Sequence, residues 1–365
     1  MNLSDNKQLR MHNQCISESL FELPEQVVSW LALCKLKITP AKWAVALRSN
    51  NLTNSLLDQD FAEGKILRTH VLRPTWQLVT PADIGWMLQL SAQRVHEQMA
   101  HWYRSSGLDN AVFKKTNAII TKVLRGGNHL TRFEIGSVFK HSIIGFELNN
   151  LQLAFIMLHA ELNGVVCSGA LKGKEHTYAL LEERAPKTIK LTRDEALAEL
   201  TKRYFASHGP ATVKDYAWWS SLSVAEVKRG IEIVASQLNH ETLAGHDYWF
   251  INSDDNKPAS KSAIYLLPNF DEYIIGYTDR SAIFDAAYAQ GLDARHNPLF
   301  QHTIVIDGQI MGTWKRKLKK GKVVVAAKPF VKLLSSQQEL LVKAVARYGK
   351  FVDLPAELVM ENIQH

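Results

Sequence analysis

The stretch FASHGPATVKDYAWWSSLSVAEVKRGIEIVASQLNHETLAGHDYWFIN, residues 205–252, contains in order every part of a winged helix-turn-helix. Thr212 has the side chain of a helix N-cap, and the short helix after it is predicted to end near Trp219. Residues 220–222, Ser-Ser-Leu, then predict a tight turn. The stretch therefore begins as a helix followed by an abrupt change of direction.

A second helix is predicted to begin at Ser223, because Glu226 three residues later completes a capping box. Apolar residues then recur at helical spacing and predict one buried face: Val224, Val227, Ile231 and Val234. The other face carries Lys228, Arg229 and Glu232.

The periodicity changes after Gln237. Residues 241–244 and 248–251 predict two short strands joined by a turn at Gly245, and this ribbon would be the wing. A helical hairpin with a β-ribbon that binds no ligand is the alternative interpretation of the same pattern.

The rest of the chain has the composition of an ordinary globular protein, with 365 residues, 46% hydrophobic and 22% charged. No apolar run approaches the 18 residues of a membrane span, and the first residues lack a secretory signal. The cysteines Cys15, Cys34 and Cys167 are widely scattered, which predicts neither a disulfide framework nor a cysteine-based zinc site. We expect a cytoplasmic protein, associated with the nucleoid if it binds DNA.

Most of the excess positive charge lies in one predicted hairpin. The formal net charge is +7, and six cations lie within eight residues, so removing them leaves 7 − 6 = +1. These six are Lys315, Arg316, Lys317, Lys319, Lys320 and Lys322. Such a patch fits a polyanion such as nucleic acid, because phosphate contacts release condensed counterions. A solvated edge hairpin without a ligand is the alternative.

Residues 5–79 predict an earlier copy of the helices-then-ribbon unit. Helices are expected from Pro24, from Thr39 and over residues 55–63, followed by two strands between residues 64 and 79. In this ribbon the predicted buried residues are Ile66, Val71, Trp76 and Leu78. The predicted polar face consists of Arg68, His70 and Arg73.

Two further units follow, at residues 80–186 and 187–252. Helix starts are predicted at Asp109, at the capping boxes of Thr131 and Thr192, and near Asn149. Residues 263–365 are mostly β in pattern, with Asp-Gly at 307–308 as a hairpin turn and a terminal helix at 336–348 that ends at Gly349. The fold class predicted is α+β: three tandem winged-helix units followed by a small C-terminal β-barrel-like domain.

Four segments together resemble the bacterial winged-helix family that includes the AlkZ-type DNA glycosylases. They are LRTHVLRPTWQLVTPADIGWML from Leu67, SHGPATVKDYAWWSSLSVAEVKR from Ser207, LLPNFDEYIIGYTDRSA from Leu266 and IVIDGQIMGTWKRKLKKG ending at Gly321. The resemblance implies three tandem winged helices and a C-terminal β-barrel in a C-shaped body that cradles duplex DNA. Glycosylases of this family hydrolyse the N-glycosidic bond of alkylated or cross-linked bases. We expect a monomer.

The sequence departs from that family at its catalytic signature, which is Gln, an apolar residue, then Gln or Asp. The matching region here holds Cys34, Lys35, Leu36 and Lys37, so neither register supplies the expected side chains. A protonated lysine only donates hydrogen bonds and would repel the oxocarbenium-like state of glycosidic hydrolysis. Burial could depress a lysine pKa and create a base or an imine-forming nucleophile. Otherwise these lysines are structural or contact phosphates.

Other potential chemistry has plainer interpretations. Asp271 and Glu272 are more readily explained by a structural turn or ion pair than by a general base. Trp218 and Trp219 are expected in the core, and Gly209 is expected to stop a helix with positive φ. No metal-ligand cluster and no Gly-rich phosphate loop occur, so neither a metal nor a nucleotide cofactor is expected.

Two hypotheses therefore remain. In the first, a DNA glycosylase binds phosphates through its wings and basic hairpin, while Arg68, His70 and Arg73 approach the lesion. In the second, a non-catalytic lesion sensor or regulator keeps the scaffold alone. A transcription factor is less favoured, because the helix from Ser223 offers only Lys228 and Arg229 as base readers.

Overall fold

A computed structural model describes residues 3–31, 38–142, 148–173, 175–243, 245–251, 262–293 and 295–361. In these ranges helices alternate with short, mostly antiparallel strands, so the predicted mixed α+β class is confirmed. None of the described helices is both long and apolar enough to cross a bilayer.

The helices of the described ranges are α1 (Leu3–Asn13), α2 (Pro24–Leu31), α3 (Ile38–Leu47), α4 (Asn54–Glu63), α5 (Ile84–Ser105), α6 (Asn110–Leu124), α7 (Arg132–Ser142), α8 (Asn150–Leu162), α9 (Leu181–Arg184), α10 (Arg193–Ser207), α11 (Val213–Ser220), α12 (Val224–Ile233), α13 (Glu272–Ile275) and α14 (Ser335–Phe351). The strands are β1 (Leu67–His70), β2 (Trp76–Val79), β3 (Leu130–Thr131), β4 (Val166–Ser168), β5 (Thr177–Leu180), β6 (Asn239–Leu243), β7 (His246–Phe250), β8 (Ile264–Leu267), β9 (Thr303–Ile306), β10 (Gln309–Lys319), β11 (Lys322–Pro329) and β12 (Ala356–Met360).

Contacts divide the chain into two compact units. Unit one comprises residues 1–57, 198–219 and 224–365, and unit two comprises residues 58–197 and 220–223.

Unit one contains a five-stranded sheet in the order β12-β11-β10-β9-β8. Its strands are antiparallel except that β12 runs parallel to β11. The predicted Asp-Gly turn joins β9 to β10, and both Asp307 and Gly308 have the positive φ that such a turn needs. The sequence pattern did not predict β12, which pairs with β11 only after the chain has passed through α14.

Aromatic residues join α14 to this sheet. The Trp43 and Trp314 rings lie 5.0 and 5.1 Å from the ring of Tyr348. Each indole N–H donates to a carbonyl of β8, Trp43 to Leu266 at 2.7 Å and Trp314 to Leu267 at 2.9 Å. The buried tryptophans therefore satisfy their polar atoms on the sheet backbone.

The predicted end of α14 at Gly349 is wrong, because the helix continues to Phe351. A β-carbon at Gly349 would lie 2.7 Å from Cβ of Ala356 and 2.8 Å from the Leu354 carbonyl oxygen. Glycine is therefore present for close approach of two backbone segments and not for a left-handed cap.

The stretch that contains α11 and α12 has the predicted elements. Thr212 and Asp215 form reciprocal side-chain and backbone bonds at the start of α11, and β6 pairs with β7 as a two-stranded ribbon. Two burial predictions are wrong: Val224 is 52% exposed and Trp218 is 48% exposed. Val224 is exposed because it is the first residue of α12, whereas Val227 and Ile231 in the following turns are buried.

The turn after α10 also differs from the prediction. The helix stops at Ser207 as expected, but Gly209 does not have positive φ, and the Gly209–Pro210 peptide bond is cis. A β-carbon at Gly209 would lie 2.3 Å from the Phe205 carbonyl oxygen. Close backbone packing is therefore what requires glycine here.

Unit two packs helices α5 to α8 on a three-stranded sheet of order β3-β5-β4. The predicted helix starts are confirmed: Asp109 accepts from the Val112 amide, Thr131 shares a capping box with Glu134, and Asn149 forms one at α8. β5 ends at Leu180, because the short helix α9 begins at the next residue.

In the β1–β2 ribbon of unit two, the predicted division into a buried face and a polar face is wrong. Leu67, Arg68 and Thr69 are all buried, and so is Arg73. β1 packs against both α8 and β4, so both faces of the strand are covered. Alternating apolar and polar residues along a strand predict a solvent-exposed face only where no other element packs on that face.

Candidate nucleic-acid interface

The basic hairpin of unit one is built from β10 and β11. Side chains alternate between the faces of a strand, so Lys315, Lys317 and Lys319 lie on one face of β10. All three are exposed, and among the described residues none of them makes an ion pair. Three ammonium groups in a row, at every second residue, form a cationic strip without internal neutralisation.

Of the other three cations of the hairpin, two have local contacts. Arg316 reaches back over the Tyr348 ring, with its Cζ 5.8 Å from the ring centroid. Lys322 pairs with Glu357 on β12, and Lys320 lies exposed at the hairpin turn. The charge available to a polyanion is therefore mainly that of the three lysines and Lys320, and not of all six cations.

The helix α12 presents the two predicted base readers. Lys228 and Arg229 are both exposed, and Arg229 lies 3.9 Å from Glu232 one turn later. Lys228 also lines a cavity of about 790 Å³ in unit one, together with Lys214 and His246. Both lysines and the histidine imidazole can donate hydrogen bonds to acceptors entering this cavity.

The third predicted group, Arg68, His70 and Arg73, lies in unit two. His70 contacts the buried carboxylate of Glu161 through Nδ1, and Arg68 lies over the Trp76 ring with its Cζ 4.2 Å from the centroid. The indole N–H of Trp76 donates to the same Glu161 oxygen at 3.3 Å. The ribbon therefore carries a connected polar cluster in place of a free basic surface.

Sequence reasoning missed Glu161 as a member of this cluster. Its signal was its position: Glu161 falls four residues after Met157 and eight after Leu153, in line with the buried face of α8. An acid on an apolar helix face requires a polar partner, because burying an unpaired charge is costly. His70 and Trp76 are those partners.

Asp271 and Glu272 are structural, as the sequence favoured. Asp271 forms a fully buried salt bridge with Arg48 at 2.6 Å. Glu272 accepts from the Trp219 indole at 3.1 Å and lies 3.3 Å from His208. Both carboxylates are buried, with partners on other elements of unit one, so neither faces a substrate as a general base.

The family now follows from comparison with known proteins. A family model described as DNA glycosylase AlkZ-like matches residues 36–351. The chain belongs to the AlkZ-like DNA glycosylase family. The resemblance of the four sequence segments is thereby confirmed.

Two relatives of this AlkZ-like chain come from Streptomyces sahachiroi. An interstrand DNA cross-link repair glycosylase is 23% identical over 287 residues, which cover 75% of this chain and 77% of the relative. The solved structure of DNA glycosylase AlkZ aligns with a TM-score of 0.77 at 21% identity, covering 98% of this chain and all of the other. The AlkZ-like chain therefore shares the AlkZ fold over nearly its whole length.

The resemblance makes Cys34, Lys35, Leu36 and Lys37 the counterpart of the family's catalytic signature. These four lie outside the described residues, and the matched family model begins at residue 36. Their correspondence to the signature, and the departure from the expected Gln and Gln or Asp, therefore stay predictions.

Proposed function

We propose that this chain binds duplex DNA through three winged-helix units and releases an alkylated or cross-linked base by hydrolysing its N-glycosidic bond. The observation that carries the proposal is the strip of Lys315, Lys317 and Lys319, which is exposed and without ion-pair partners among the described residues. Membership of a DNA glycosylase family supplies the type of reaction.

The arrangement of elements supports the winged-helix organisation. In each predicted unit helices precede an antiparallel ribbon, which is β1–β2 in the first, β4–β5 in the second and β6–β7 in the third. The boundaries we propose remain 5–79, 80–186 and 187–252, with a barrel-like domain at 263–365. A monomer without nucleotide cofactor is sufficient for this reaction.

The departure at Cys34 to Lys37 restricts the substrate we propose. An alkylated purine carries a positive charge that already activates it as a leaving group, so little catalytic assistance is needed. A site that lacks the usual acceptors can therefore act on a labile base and would be weak on an unmodified one. The relative named as an interstrand cross-link repair glycosylase makes cross-linked purines the second substrate to test.

The first experiment measures release of N7- and N3-alkylated purines, and of cross-linked bases, from duplex DNA. We expect release by the wild type and its loss in a Lys35→Ala, Lys37→Ala double variant. Release that the double variant retains would show that neither lysine acts in the reaction. Duplex binding without any release would contradict the excision proposal and favour the second candidate, a non-catalytic lesion-binding protein, which the absent glutamines support.

The second experiment tests the lysine strip itself. Replacing Lys315, Lys317 and Lys319 by glutamine is expected to weaken duplex affinity by about tenfold to a hundredfold at low salt, because up to three phosphate contacts are lost. The matched control replaces three exposed lysines of α6, Lys114, Lys115 and Lys122, and removes the same charge. Equal losses in the two variants would show that only net charge matters.

A further inference from the structure

Unit two contains a pocket of about 660 Å³ beside the β1–β2 ribbon. Residues of α7, of β5, of the end of β3 and of the start of α8 form its walls, and Arg68 and Trp76 of the ribbon complete it. The volume lies within the range of pockets that hold small ligands.

Arg68 is the unusual member of this pocket. The side chain is only 4% exposed, yet its Nε and Nη2 hydrogen-bond to no described residue. These two nitrogens form one edge of the guanidinium group, the edge that binds carboxylates and phosphates through two parallel hydrogen bonds. A buried cation with an unused bidentate edge is costly unless an acceptor binds it.

Other residues hold the Arg68 guanidinium in position. Its Cζ lies 4.2 Å from the Trp76 ring centroid, and the Trp76 indole donates to buried Glu161 at 3.3 Å. Glu161 also contacts His70. The Glu161–Trp76 bond fixes the ring on which Arg68 stacks, so the guanidinium is preorganised without an ion pair that would neutralise it.

The remaining wall of the pocket adds positive charge and an aromatic surface. Arg132 and Lys140 of α7 line it, against a single acid among the lining residues, Glu175. Phe133, between them on α7, lines the pocket with 80% of its surface exposed. Proteins that bind single strands stack successive bases on aromatic side chains of this kind.

We propose that this pocket binds one nucleotide with an unpaired base: Arg68 and Arg132 bind its phosphate, and Phe133 stacks on the base. The ligand is a phosphate ester that carries a purine or pyrimidine base. It is either a free nucleotide or one nucleotide of a single strand. This assignment goes beyond base excision, and its test has no catalytic readout, so either proposal can fail while the other stands.

The test is isothermal titration calorimetry of the full chain at low salt with dAMP, inorganic phosphate and deoxyadenosine. We expect dAMP to bind most tightly and deoxyadenosine at least tenfold more weakly, because the nucleoside lacks the anion. Arg68→Met should weaken dAMP binding tenfold or more, since a charge-assisted bidentate contact is lost. Phe133→Ala should weaken dAMP about fivefold or more and leave inorganic phosphate unchanged.

Two further variants keep the test decisive. Arg73→Met removes another buried arginine, in the turn between β1 and β2, that does not line the pocket, and should leave dAMP binding unchanged. Arg132→Met alters an exposed side chain, so it reports on the pocket even if Arg68→Met does not fold, and is expected to weaken dAMP about threefold.

Comparing the affinities of a single-stranded tetranucleotide and of dAMP shows whether the ligand is part of a DNA strand or a free nucleotide. Tighter binding of the tetranucleotide, lost in the Phe133→Ala variant, identifies an unpaired segment of a DNA strand as the ligand. Tighter binding of dAMP identifies a free nucleotide. The proposal is overturned if deoxyadenosine binds as well as dAMP, if neither arginine variant of the pocket alters dAMP binding, or if dAMP does not bind at millimolar concentration.

Discussion

Arg48 shows how single residues organise unit one. Its fully buried guanidinium binds both carboxylate oxygens of Asp271, at 2.6 and 3.0 Å, and also donates to Gln14 and to the Ala44 carbonyl. Asp271 in turn accepts from the Tyr273 amide at the start of α13. Every polar atom of this pair is therefore engaged, which is the condition under which a buried ion pair is tolerated.

Breaking that pair is expected to be strongly destabilising. Arg48→Met should lower the free energy of unfolding by about 3 to 5 kcal/mol, because it leaves the Asp271 carboxylate buried without its cation. The double variant with Asp271→Asn should lose less than the sum of the single variants, since no charge is then left unpaired. Urea denaturation followed by circular dichroism measures this, and additive losses would contradict the coupling.

A second residue-scale effect concerns His96 and His159 in unit two. The His159 ring stacks on Phe113 at 3.7 Å, and the two histidine rings lie 4.8 Å apart. Burial, with a smaller contribution from His96, lowers the pKa of His159 to about 4, and burial also lowers the pKa of His96. Both rings are therefore neutral in the folded protein near pH 7.

Acid is expected to destabilise unit two through these rings. The unfolded histidines titrate near pH 6.5, above the folded pKa, so the unfolded state binds more protons between about pH 6.5 and 4. Stability contributed by the neutral rings is lost as the pH falls through this range, by about 1 kcal/mol once partial exposure is allowed for. His159→Phe should make denaturation midpoints less dependent on pH, and an unchanged dependence would assign the effect elsewhere.

At the scale of elements, helix starts follow local rules while helix contacts do not. The capping box of Thr192 and Glu195 at α10 joins residues three apart, so the pattern is visible in sequence. Gly136 in α7 and Gly349 in α14 look equivalent in sequence, but their surroundings differ. A β-carbon at Gly136 would meet only the end of the Leu153 side chain, whereas at Gly349 it would meet backbone.

The two glycines are therefore expected to respond differently to alanine. Gly349→Ala should cost about 2 kcal/mol in the free energy of unfolding, because the Leu354 carbonyl and Ala356 cannot both move away. Gly136→Ala should be within about 1 kcal/mol of neutral, since Leu153 can adjust and alanine favours a helix. Thermal denaturation of both variants distinguishes them, and equal effects would show that helix propensity dominates.

At the scale of the whole molecule, the net charge of +7 is concentrated and not spread evenly. Six cations lie in the β10–β11 hairpin, and three of them, Lys315, Lys317 and Lys319, form one strip. A strip of this kind attracts a polyanion by releasing counterions, and this attraction weakens with salt.

Affinity for random duplex DNA is accordingly expected to fall steeply with salt. In a plot of log K against log salt concentration, glutamine at the three strip positions should reduce the slope by roughly 2 to 3, close to 0.9 for each lost phosphate contact. Fluorescence anisotropy at several salt concentrations measures the slope. A wild-type affinity that does not vary with salt would contradict DNA binding by this hairpin.

Much of the fold could be predicted because its signals are local. The helix starts at Asp109, Thr131 and Thr212, the Asp-Gly turn and the ribbon after α12 each depend on residues a few positions apart. The exposure of charged side chains was predicted less well, because exposure depends on distant neighbours. Arg68 was expected on a polar face and is buried, and the basic hairpin divides its six cations between a free strip and local contacts.

Patterns in the amino-acid sequence were enough to predict the mixed class of the protein, its family, the starts of its main helices and the concentration of charge in one hairpin. Only the tertiary structure decided which charged groups are used internally. Arg48 and Asp271 lie 223 positions apart, and Glu161 reaches His70 across 91 positions. A short pattern cannot specify such partners, because burial and pairing depend on which distant elements pack together, whereas caps and turns require only the residues beside them.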